Sequence, residues 1–221
     1  MLATTEGATV TTTERHLSDE YLTPKSIVAT LRPYLPERLG LTLDPAAGDG
    51  VFQEVLGDRA AQWFNIDIRP EAKAQDCVTA NYLVTQDRHW TRDGRPVPMP
   101  TSFDTIVTNP PFSLITEFLL TSFTVLNGWD WIVNTVRGNY QPWPPGKRLA
   151  FFARLALLEG TGRLEDLWQH PTLRPTAVVT LPRRPKFPGF ATQDRWAYAW
   201  FLWGDVPVQG LQWVTEPYEV A

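Results

Sequence analysis

The fold is indicated most clearly by residues 41–56, which read Leu41-Thr42-Leu43-Asp44-Pro45-Ala46-Ala47-Gly48-Asp49-Gly50-Val51-Phe52-Gln53-Glu54-Val55-Leu56. This stretch predicts a strand that ends at Asp44, a tight turn of small residues, and a helix. Gly48 and Gly50 permit positive φ and let a ligand approach the backbone, while Asp44 can accept a hydrogen bond. The Gly-x-Gly-x-x-Gly dinucleotide fingerprint is missing, and acids in the turn suit a cationic or neutral ligand better than a pyrophosphate.

A second strand is predicted over Trp63-Phe64-Asn65-Ile66-Asp67-Ile68. It ends in an acid about 20 residues after the turn, where nucleotide-binding βαβ units usually hold a ribose hydroxyl. Asp67 therefore fits a ribose diol.

A turn with two consecutive prolines, Asn109-Pro110-Pro111-Phe112, follows a hydrophobic run over residues 103–108 that predicts a buried strand. The prolines fix φ at roughly −65° and remove two backbone donors. The Asn109 amide oxygen and the Pro110 carbonyl could then accept both hydrogens of a planar –NH2 group, while the Phe112 ring offers a stacking face. The alternative is a Pro-rich strand-to-helix connection without chemistry.

Together these motifs resemble the S-adenosylmethionine-dependent amino-methyltransferases that act on adenine in DNA. The resemblance covers residues 21–136 and includes Tyr21-Leu22-Thr23-Pro24, which looks like the family's N-terminal cofactor motif. A weaker match is Asn81-Tyr82-Leu83, where the family often has Asp-Phe-Leu beside the cofactor adenine. Asn81 replaces the usual carboxylate acceptor, although its amide oxygen could still serve.

The resemblance implies S-adenosyl-L-methionine as the cofactor and assigns residues to it and to the target amine. The methionine end would lie against residues 44–50, the ribose against Asp67, and the target amine against residues 109–112. The implied cofactor-binding residues are Tyr21, Thr23, Asp44, Ala46, Gly48, Gly50, Asp67, Ile68, Asn81 and Tyr82. The implied catalytic residues are Asn109, Pro110, Pro111 and Phe112.

Strands and helices alternate in the predicted order, which favours a mainly parallel sheet covered on both faces. The loop between the last two strands is too short and Pro-rich for a crossover helix, so these strands should form an antiparallel pair at the sheet edge. The expected fold is α/β, a single Rossmann-like methyltransferase domain over residues 19–221 with a seven-stranded sheet, after a mobile tail over residues 1–18. We predict strands near 41–44, 62–68, 76–80, 103–108, 130–136, 176–181 and 196–203, helices near 24–35, 50–56, 112–127 and 146–159, and helical turns near 70–75 and 163–169.

Composition agrees with one compact enzyme domain. The chain has 221 residues, 43% of them hydrophobic, which suffices for one α/β core and leaves no room for a second full domain. Its single cysteine, Cys77, excludes an internal disulfide, and the three histidines lack metal-ligand spacing, so no metal site is expected. No apolar stretch approaches the roughly 20 residues of a membrane span and no signal region is visible, so we expect a cytoplasmic protein.

A net charge of −4 is not typical of a nucleic-acid-binding protein, but two loops interleave cations with aromatic residues. Such loops suit a strand of nucleic acid, because phosphates need cations and unpaired bases need stacking partners; the alternative is a solvated loop with incidental arginines. Ligands of open α/β sheets bind at the carboxyl ends of strands, so the loop after the 130–136 strand should lie beside the target pocket. The candidates are Arg137, Asn139, Tyr140, Trp143 and Lys147 in one loop and Arg183, Arg184 and Lys186 in the other. Recognition loops are expected at residues 85–101, 137–148 and 182–195.

The predicted function is a DNA methyltransferase that transfers a methyl group from S-adenosylmethionine to the exocyclic N6 amine of adenine by base extrusion. An RNA adenine or protein glutamine N-methyltransferase is the first alternative, because the turn recognises a planar –NH2 group and does not name the molecule that bears it. A non-catalytic methyltransferase-like subunit is the second. The expected partner is DNA, single- or double-stranded, in restriction–modification, in a phage or other mobile element, or in chromosomal marking. The protein should be a monomer or homodimer without membrane contact.

Overall fold

A single ten-stranded sheet runs through the computed structural model, which describes residues 21–84, 91–92, 95–97, 100–215 and 218. In chain order its strands are β1 Gly40–Asp44, β2 Ala60–Asp67, β3 Val78–Thr79, β4 Thr91–Arg92, β5 Arg95–Pro96, β6 Thr105–Thr108, β7 Arg148–Arg154, β8 Ala177–Thr180, β9 Tyr198–Gly204 and β10 Gly210–Trp213. Their order across the sheet is β10-β8-β9-β7-β6-β1-β2-β3-β4-β5. The predicted α/β class is confirmed; six of the seven predicted strands are present, and β4, β5, β7 and β10 bring the sheet to ten.

The central strands are parallel. β1 pairs with β2 and with β6, β3 continues beside β2, and β7 continues beside β6. β9 runs antiparallel between β7 and β8, which confirms the predicted antiparallel pair. The pair does not form the edge itself, because β10 joins β8 in parallel. The C-terminal ends of β1, β2, β6, β7 and β8 therefore share one side of the sheet with the start of β9, and we call this side the carboxyl rim.

Helices cover both faces of the sheet. The α-helices are α1 Lys25–Ala29, α2 Val51–Leu56, α3 Ile115–Asn127, α4 Trp129–Val136 and α5 Thr161–Arg163, accompanied by 3-10 helices at Arg32–Tyr34, Gly57–Arg59, Phe112–Leu114, Leu155–Leu158 and Pro171–Leu173 and a π-helix at Leu164–Trp168. α1 and α2 pack on one face with Val107 and Trp200, whereas α3 and α4 pack on the other with Ile106 and Phe201. Neighbouring strand residues thus alternate between two cores, as pleated strands require.

Two predicted elements have the wrong secondary structure. The strand predicted over 130–136 is helix α4, and the helix predicted over 146–159 is largely strand β7. In α4, Trp131, Ile132 and Thr135 are buried at helical spacing, but the aromatic and β-branched composition of the segment favours a strand. β7 lies between two strands and is buried almost throughout, so its sequence is a continuous apolar run without a strand period.

This exchange moves the loop over residues 137–147 away from the carboxyl rim. The loop joins α4 to the N-terminal end of β7, where Arg148 is paired with Thr105 at the start of β6. The prediction that this loop lies beside the target pocket is therefore wrong. The predicted tail over residues 1–18 lies outside the described residues, as does most of the loop over 85–101, and the domain limits stay a prediction.

Candidate active site

The turn after β1 is shaped by two glycines with positive φ, as predicted. Gly48 has a φ of +54° and Gly50 a φ of +84°, values that residues with a Cβ rarely adopt. The N–H of Gly48 donates to the carboxylate of Asp67 at the end of β2 (2.9 Å), which joins the ends of two neighbouring strands. A Cβ at Gly50 would lie 2.9 Å from the Cα of Ala74, so this glycine is required for close backbone packing at the start of α2.

Asp44 is fully buried beneath this turn. One carboxylate oxygen accepts from the N–H of Ala46 (3.2 Å), whereas Oδ2 has no hydrogen-bond partner among the described residues. Burial raises the pKa of Asp44 to about 7; the neighbouring Thr108 hydroxyl and the Ala46 N–H oppose this rise, and the nearby charges of Asp67 and Asp49 add to it. A buried acceptor without a partner is costly unless a ligand supplies a donor or a cation. Asp44 is therefore suited to a cationic group bound at the turn.

Asp67, at the end of β2, accepts four hydrogen bonds. Its Oδ2 accepts from the N–H of Gly48 (2.9 Å) and from the guanidinium of Arg69 (3.1 Å). Its Oδ1 accepts from the backbone N–H and from Nε of Arg69 (3.0 and 2.9 Å). A carboxylate offers about four acceptor positions, so a ribose diol would have to move the Arg69 side chain aside. The contact between Asp67 and a diol stays a prediction. Sequence reasoning missed Arg69, for which the spacing Asp67-Ile68-Arg69 was the available signal.

The Asn109 side chain is oriented by the segment that precedes α1. Its Nδ2 donates to the carbonyl of Tyr21 (2.8 Å) and to the hydroxyl of Thr23 (3.0 Å). Because a carbonyl oxygen only accepts, these bonds direct the amide nitrogen toward the N-terminal segment. Asn109 Oδ1 is buried and has no partner within the described part of the chain. The turn after β6 thus presents one free amide oxygen, and the role of the Pro110 carbonyl beside it stays a prediction.

Phe112 belongs to an aromatic cluster on the carboxyl rim. Its ring centroid lies 5.3 Å from that of Tyr21 and 5.7 Å from that of Tyr198. The guanidinium carbon of Arg154, the last residue of β7, lies 4.5 Å above the Phe112 ring in a cation–π contact. Sequence reasoning missed Arg154, because a helix was predicted over 146–159. The available signal was a charged residue at the end of an apolar run, which indicates a strand end on the carboxyl rim.

A cavity of about 520 Å³ opens beside these groups, within the roughly 300–1,000 Å³ that is usual for small-molecule sites. Its lining includes most of the predicted cofactor-binding residues, together with Asn109 and Pro111. These lining residues are Tyr21, Thr23, Ala46, Gly48, Asp67, Ile68, Asn81 and Tyr82. Asp44 and Gly50 do not contribute to that lining. The Ile68 side chain is 63% exposed and is therefore available to a planar ring.

The residues after β3 contribute to the cavity in different ways. Asn81 Oδ1 accepts from the N–H of Leu83 (3.0 Å), so the amide oxygen considered for the cofactor adenine already caps its own turn. Tyr82 is buried, its hydroxyl shares a hydrogen bond with Ser122 (3.0 Å), and its ring packs against Phe118. Tyr82 therefore forms part of the cavity wall through its ring.

The nucleic-acid-binding candidates of the 137–147 loop divide into exposed and engaged residues. The exposed ones are Arg137, Asn139 and Tyr140. Trp143 is partly buried and donates from Nε1 to the carbonyl of Thr172 (2.9 Å). The ammonium group of Lys147 is bound to Asp104 (3.1 Å) and is largely shielded from solvent. Trp143 and Lys147 thus have structural partners, and a role of this loop in nucleic-acid binding stays a prediction away from the carboxyl rim.

The second group of candidates lies on the carboxyl rim, in the loop over residues 181–197 that joins β8 to β9. Arg183 and Arg184 are exposed, and Lys186 is half-buried. None of the three forms an ion pair with another described residue. Their cations are therefore placed on the same side of the sheet as Asn109.

Two kinds of feature are absent from the described ranges of the chain. These ranges contain no group of three or more His, Cys, Asp and Glu side chains that could hold a metal ion. Within the same ranges, no helix has the length and apolar character needed to cross a bilayer.

Comparisons with known proteins support the architecture. No family model and no curated protein sequence matches the chain. Among solved structures it is similar to a chain described as a modification subunit of a type I restriction enzyme from Vibrio vulnificus YJ016 (TM-score 0.56, 16% identity, 90% of this chain and 48% of that one). It is also similar to the methyltransferase subunit of a type I restriction-modification system from Streptococcus thermophilus (TM-score 0.50, 13% identity, 84% and 45%). The chain has a Rossmann-like methyltransferase fold. The chain spans about half the length of each of these two subunits.

Proposed function

We propose that the protein is an S-adenosylmethionine-dependent N-methyltransferase that methylates the N6 amine of adenine in DNA. The observation that carries this proposal is the Asn109 amide, whose nitrogen is held by Tyr21 and Thr23 while its buried oxygen is left without a partner among the described residues. Asn109 also lines the 520 Å³ cavity. An amide oxygen held in this way beside a ligand cavity matches a planar –NH2 group.

The residues that line the cavity, together with Asp44 buried beneath the adjoining turn, fit S-adenosylmethionine. The buried Asp44 carboxylate suits the cationic methionine end, and the exposed Ile68 side chain suits the adenine ring. A Cβ at Gly48 would contact only side-chain atoms, those of Leu22 and Arg69 at 3.4 and 3.6 Å, so movable side chains and no backbone atoms border Gly48 on that side. When bound, this cofactor supplies an electrophilic methyl group on a sulfonium.

The chain's own residues would position and activate the amine. Adenine's amine is a poor nucleophile because its lone pair is delocalised into the ring. Acceptance of its two hydrogens by Asn109 Oδ1 and the Pro110 carbonyl favours a pyramidal nitrogen and stabilises the positive charge that develops there. Thr23 and the Tyr21 carbonyl hold the amide in place beforehand, so the site needs little reorganisation. Extrusion of a base costs a few kcal/mol, part of which stacking on Phe112 recovers.

Two observations favour this reading over a protein glutamine methyltransferase and over a non-catalytic subunit, and the RNA adenine alternative is decided by the parallel RNA assay below. The exposed cations of Arg183 and Arg184 on the carboxyl rim suit an acidic polymer better than a glutamine-bearing protein loop. The unpartnered oxygens of Asp44 and Asn109 among the described residues suit ligand binding better than a non-catalytic subunit. We further propose a single domain over residues 19–221, a cytoplasmic location, and a monomer or homodimer acting in restriction–modification, a mobile element or chromosomal marking.

The proposal is tested with methyl-labelled cofactor and unmethylated genomic DNA, with total RNA and a protein extract in parallel. We expect label in N6-methyladenine from DNA, loss of that label in Asn109→Ala with cofactor affinity retained, and no effect of Gln62→Ala, which removes an exposed amide near the start of β2, on the side of the sheet opposite the rim. Label only in RNA or protein would replace the substrate. Turnover near wild type in Asn109→Ala would refute the mechanism, and cofactor binding without label in any pool would favour the non-catalytic alternative.

A further inference from the structure

Two large aromatic side chains of the 181–197 loop are exposed on the carboxyl rim. Phe190 is 49% exposed and Trp196 is 40% exposed. Phe190 is stacked on Tyr21, with ring centroids 5.4 Å apart and planes 10° apart. Tyr21 in turn lies 5.3 Å from Phe112 in the Asn-Pro-Pro-Phe turn. A continuous line of rings therefore leads from the proposed target pocket to an exposed ring.

A second line of contacts leads from Phe112 to Trp196. The Arg154 guanidinium carbon lies 4.5 Å from the Phe112 centroid and 5.5 Å from that of Trp196. The guanidinium of Arg195 lies 5.0 Å from the same Trp196 ring. Phe190 and Trp196 are thus reached from Phe112 by separate routes, one through Tyr21 and one through Arg154.

The loop that carries these rings is anchored to the sheet. The carboxylate of Asp194 accepts from the hydroxyl of Tyr198 (2.6 Å), which is also bound by Nε of Arg154 (3.3 Å). The N–H of Asp194 donates to the carbonyl of Pro185 (2.9 Å) across the loop. The rings are therefore held in place before any ligand arrives, which lowers the entropic cost of binding.

Cations accompany the rings on the same loop. Arg183, Arg184 and Arg195 are exposed, and none forms an ion pair with another described residue. The chain as a whole carries a net charge of −4, so this local group of cations is not part of a generally basic protein. Exposed rings interleaved with cations are typical of surfaces that bind unpaired strands, because every base offers a face for stacking.

We propose that the substrate strand is unpaired around the target adenine, with the nucleotides on its two sides stacked on Phe190 and Trp196. Their phosphates would lie against the exposed arginines of the same loop. In an intact duplex the neighbouring bases are stacked between base pairs and their faces cannot reach protein rings. This inference rests on the proposed function and adds to it that single-stranded or locally opened DNA is the form recognised.

The test measures binding of a labelled, adenine-containing DNA oligonucleotide of mixed sequence, as a single strand and as a duplex, with S-adenosylhomocysteine present. Single strands should bind more tightly than the duplex, and Phe190→Ala and Trp196→Ala should each weaken single-strand binding by about 5- to 150-fold. Trp196→Phe should restore most of the loss because it keeps a stacking face. Trp129→Ala, which removes a 66% exposed ring of α4 outside this loop, should leave binding unchanged.

The outcomes separate this inference from the proposed function. Equal affinity for both DNA forms, or wild-type single-strand affinity in both alanine variants, would overturn the inference even if DNA is methylated. If the wild-type protein methylates neither DNA form, the proposed function itself fails. Unchanged affinity of each variant for S-adenosylhomocysteine confirms that the substituted proteins are folded.

Discussion

Replacement of Asp44 by asparagine should stabilise the ligand-free protein above neutral pH and weaken its affinity for the cofactor. Asparagine keeps the shape of the side chain and can still accept the hydrogen bond from the N–H of Ala46. It removes the negative charge, which is fully buried and has one oxygen without a partner among the described residues. The substitution should therefore raise stability but lower affinity, because the buried charge destabilises the empty site and attracts a cationic ligand.

The magnitude follows from the pKa of Asp44. Burial raises this pKa from 3.8 to about 7 in the folded protein. The neutral carboxyl therefore contributes stability that is fully present below pH 3.8 and is lost as the pH rises to about 7. At about 1.36 kcal/mol per pKa unit, the ionised carboxylate costs the folded state about 4 kcal/mol above that range. The gain from Asp44→Asn should thus be about 3 kcal/mol larger at about pH 8 than at about pH 5.

Denaturant titrations of both proteins at the two pH values measure this difference. Glu159→Gln, which neutralises an exposed carboxylate, is the control and should change the free energy of unfolding little at either pH. Binding of S-adenosylhomocysteine at about pH 8 should weaken by about 10- to 100-fold in Asp44→Asn, since a hydrogen bond to a charged group contributes about 1.5–3 kcal/mol. Equal stabilisation at both pH values would refute the raised pKa, and unchanged affinity would refute the proposed interaction of Asp44 with the cationic methionine end of the cofactor.

Three further substitutions test other parts of the structure. Gly50→Ala should lower the free energy of unfolding by about 1–3 kcal/mol in denaturant titrations, because its Cβ would clash with backbone 2.9 Å away; Gly138→Ala, with the same φ of +84° and open surroundings, controls for φ alone. Lys147→Ala should lower the melting temperature and leave DNA affinity unchanged, because its ammonium group is bound within the protein; weaker binding without destabilisation would contradict this assignment. Thr23→Val should lower kcat by about 2- to 10-fold, because Asn109 loses one neutral hydrogen bond, and unaltered kcat in steady-state assays would count against its role.

The parts of the fold predicted correctly are those with strong local signals. An apolar run followed by small residues predicts β1, its glycine turn and α2. An apolar run that ends shortly before Pro110 and Pro111 predicts β6. β7 and α4 could not be assigned in this way. β7 is a strand because it pairs with β6 on one side and β9 on the other, and α4 is a helix because its apolar residues pack against one face of the sheet. β10 was missed because its residues are largely exposed and carry no alternating pattern.

The site was predictable to the extent that it depends on strand ends. Gly48, Asp67 and Asn109 follow the C-terminal ends of parallel strands and line one cavity, as the position of ligands in open α/β sheets indicates. The partners that give these residues their chemistry come from distant parts of the chain. Asn109 is oriented by Tyr21 and Thr23, and no local pattern identifies such contacts before the fold is known.

The position of a loop in the sheet decides between functions that its composition leaves open. The 137–147 and 181–197 loops both interleave cations with aromatic residues, and by sequence either could contact a nucleic acid. The first precedes β7, where Lys147 is bound to Asp104, whereas the second follows β8 and carries exposed arginines together with Phe190, which is stacked on Tyr21. Prediction of a strand where the chain forms helix α4 therefore has a second consequence. The 137–147 loop enters the N-terminal end of β7 and does not leave the C-terminal end of a strand, so it lies on the other side of the sheet. The 181–197 loop keeps its predicted place after β8 on the carboxyl rim, and it is therefore the loop for which we propose stacking and phosphate contacts with the substrate strand.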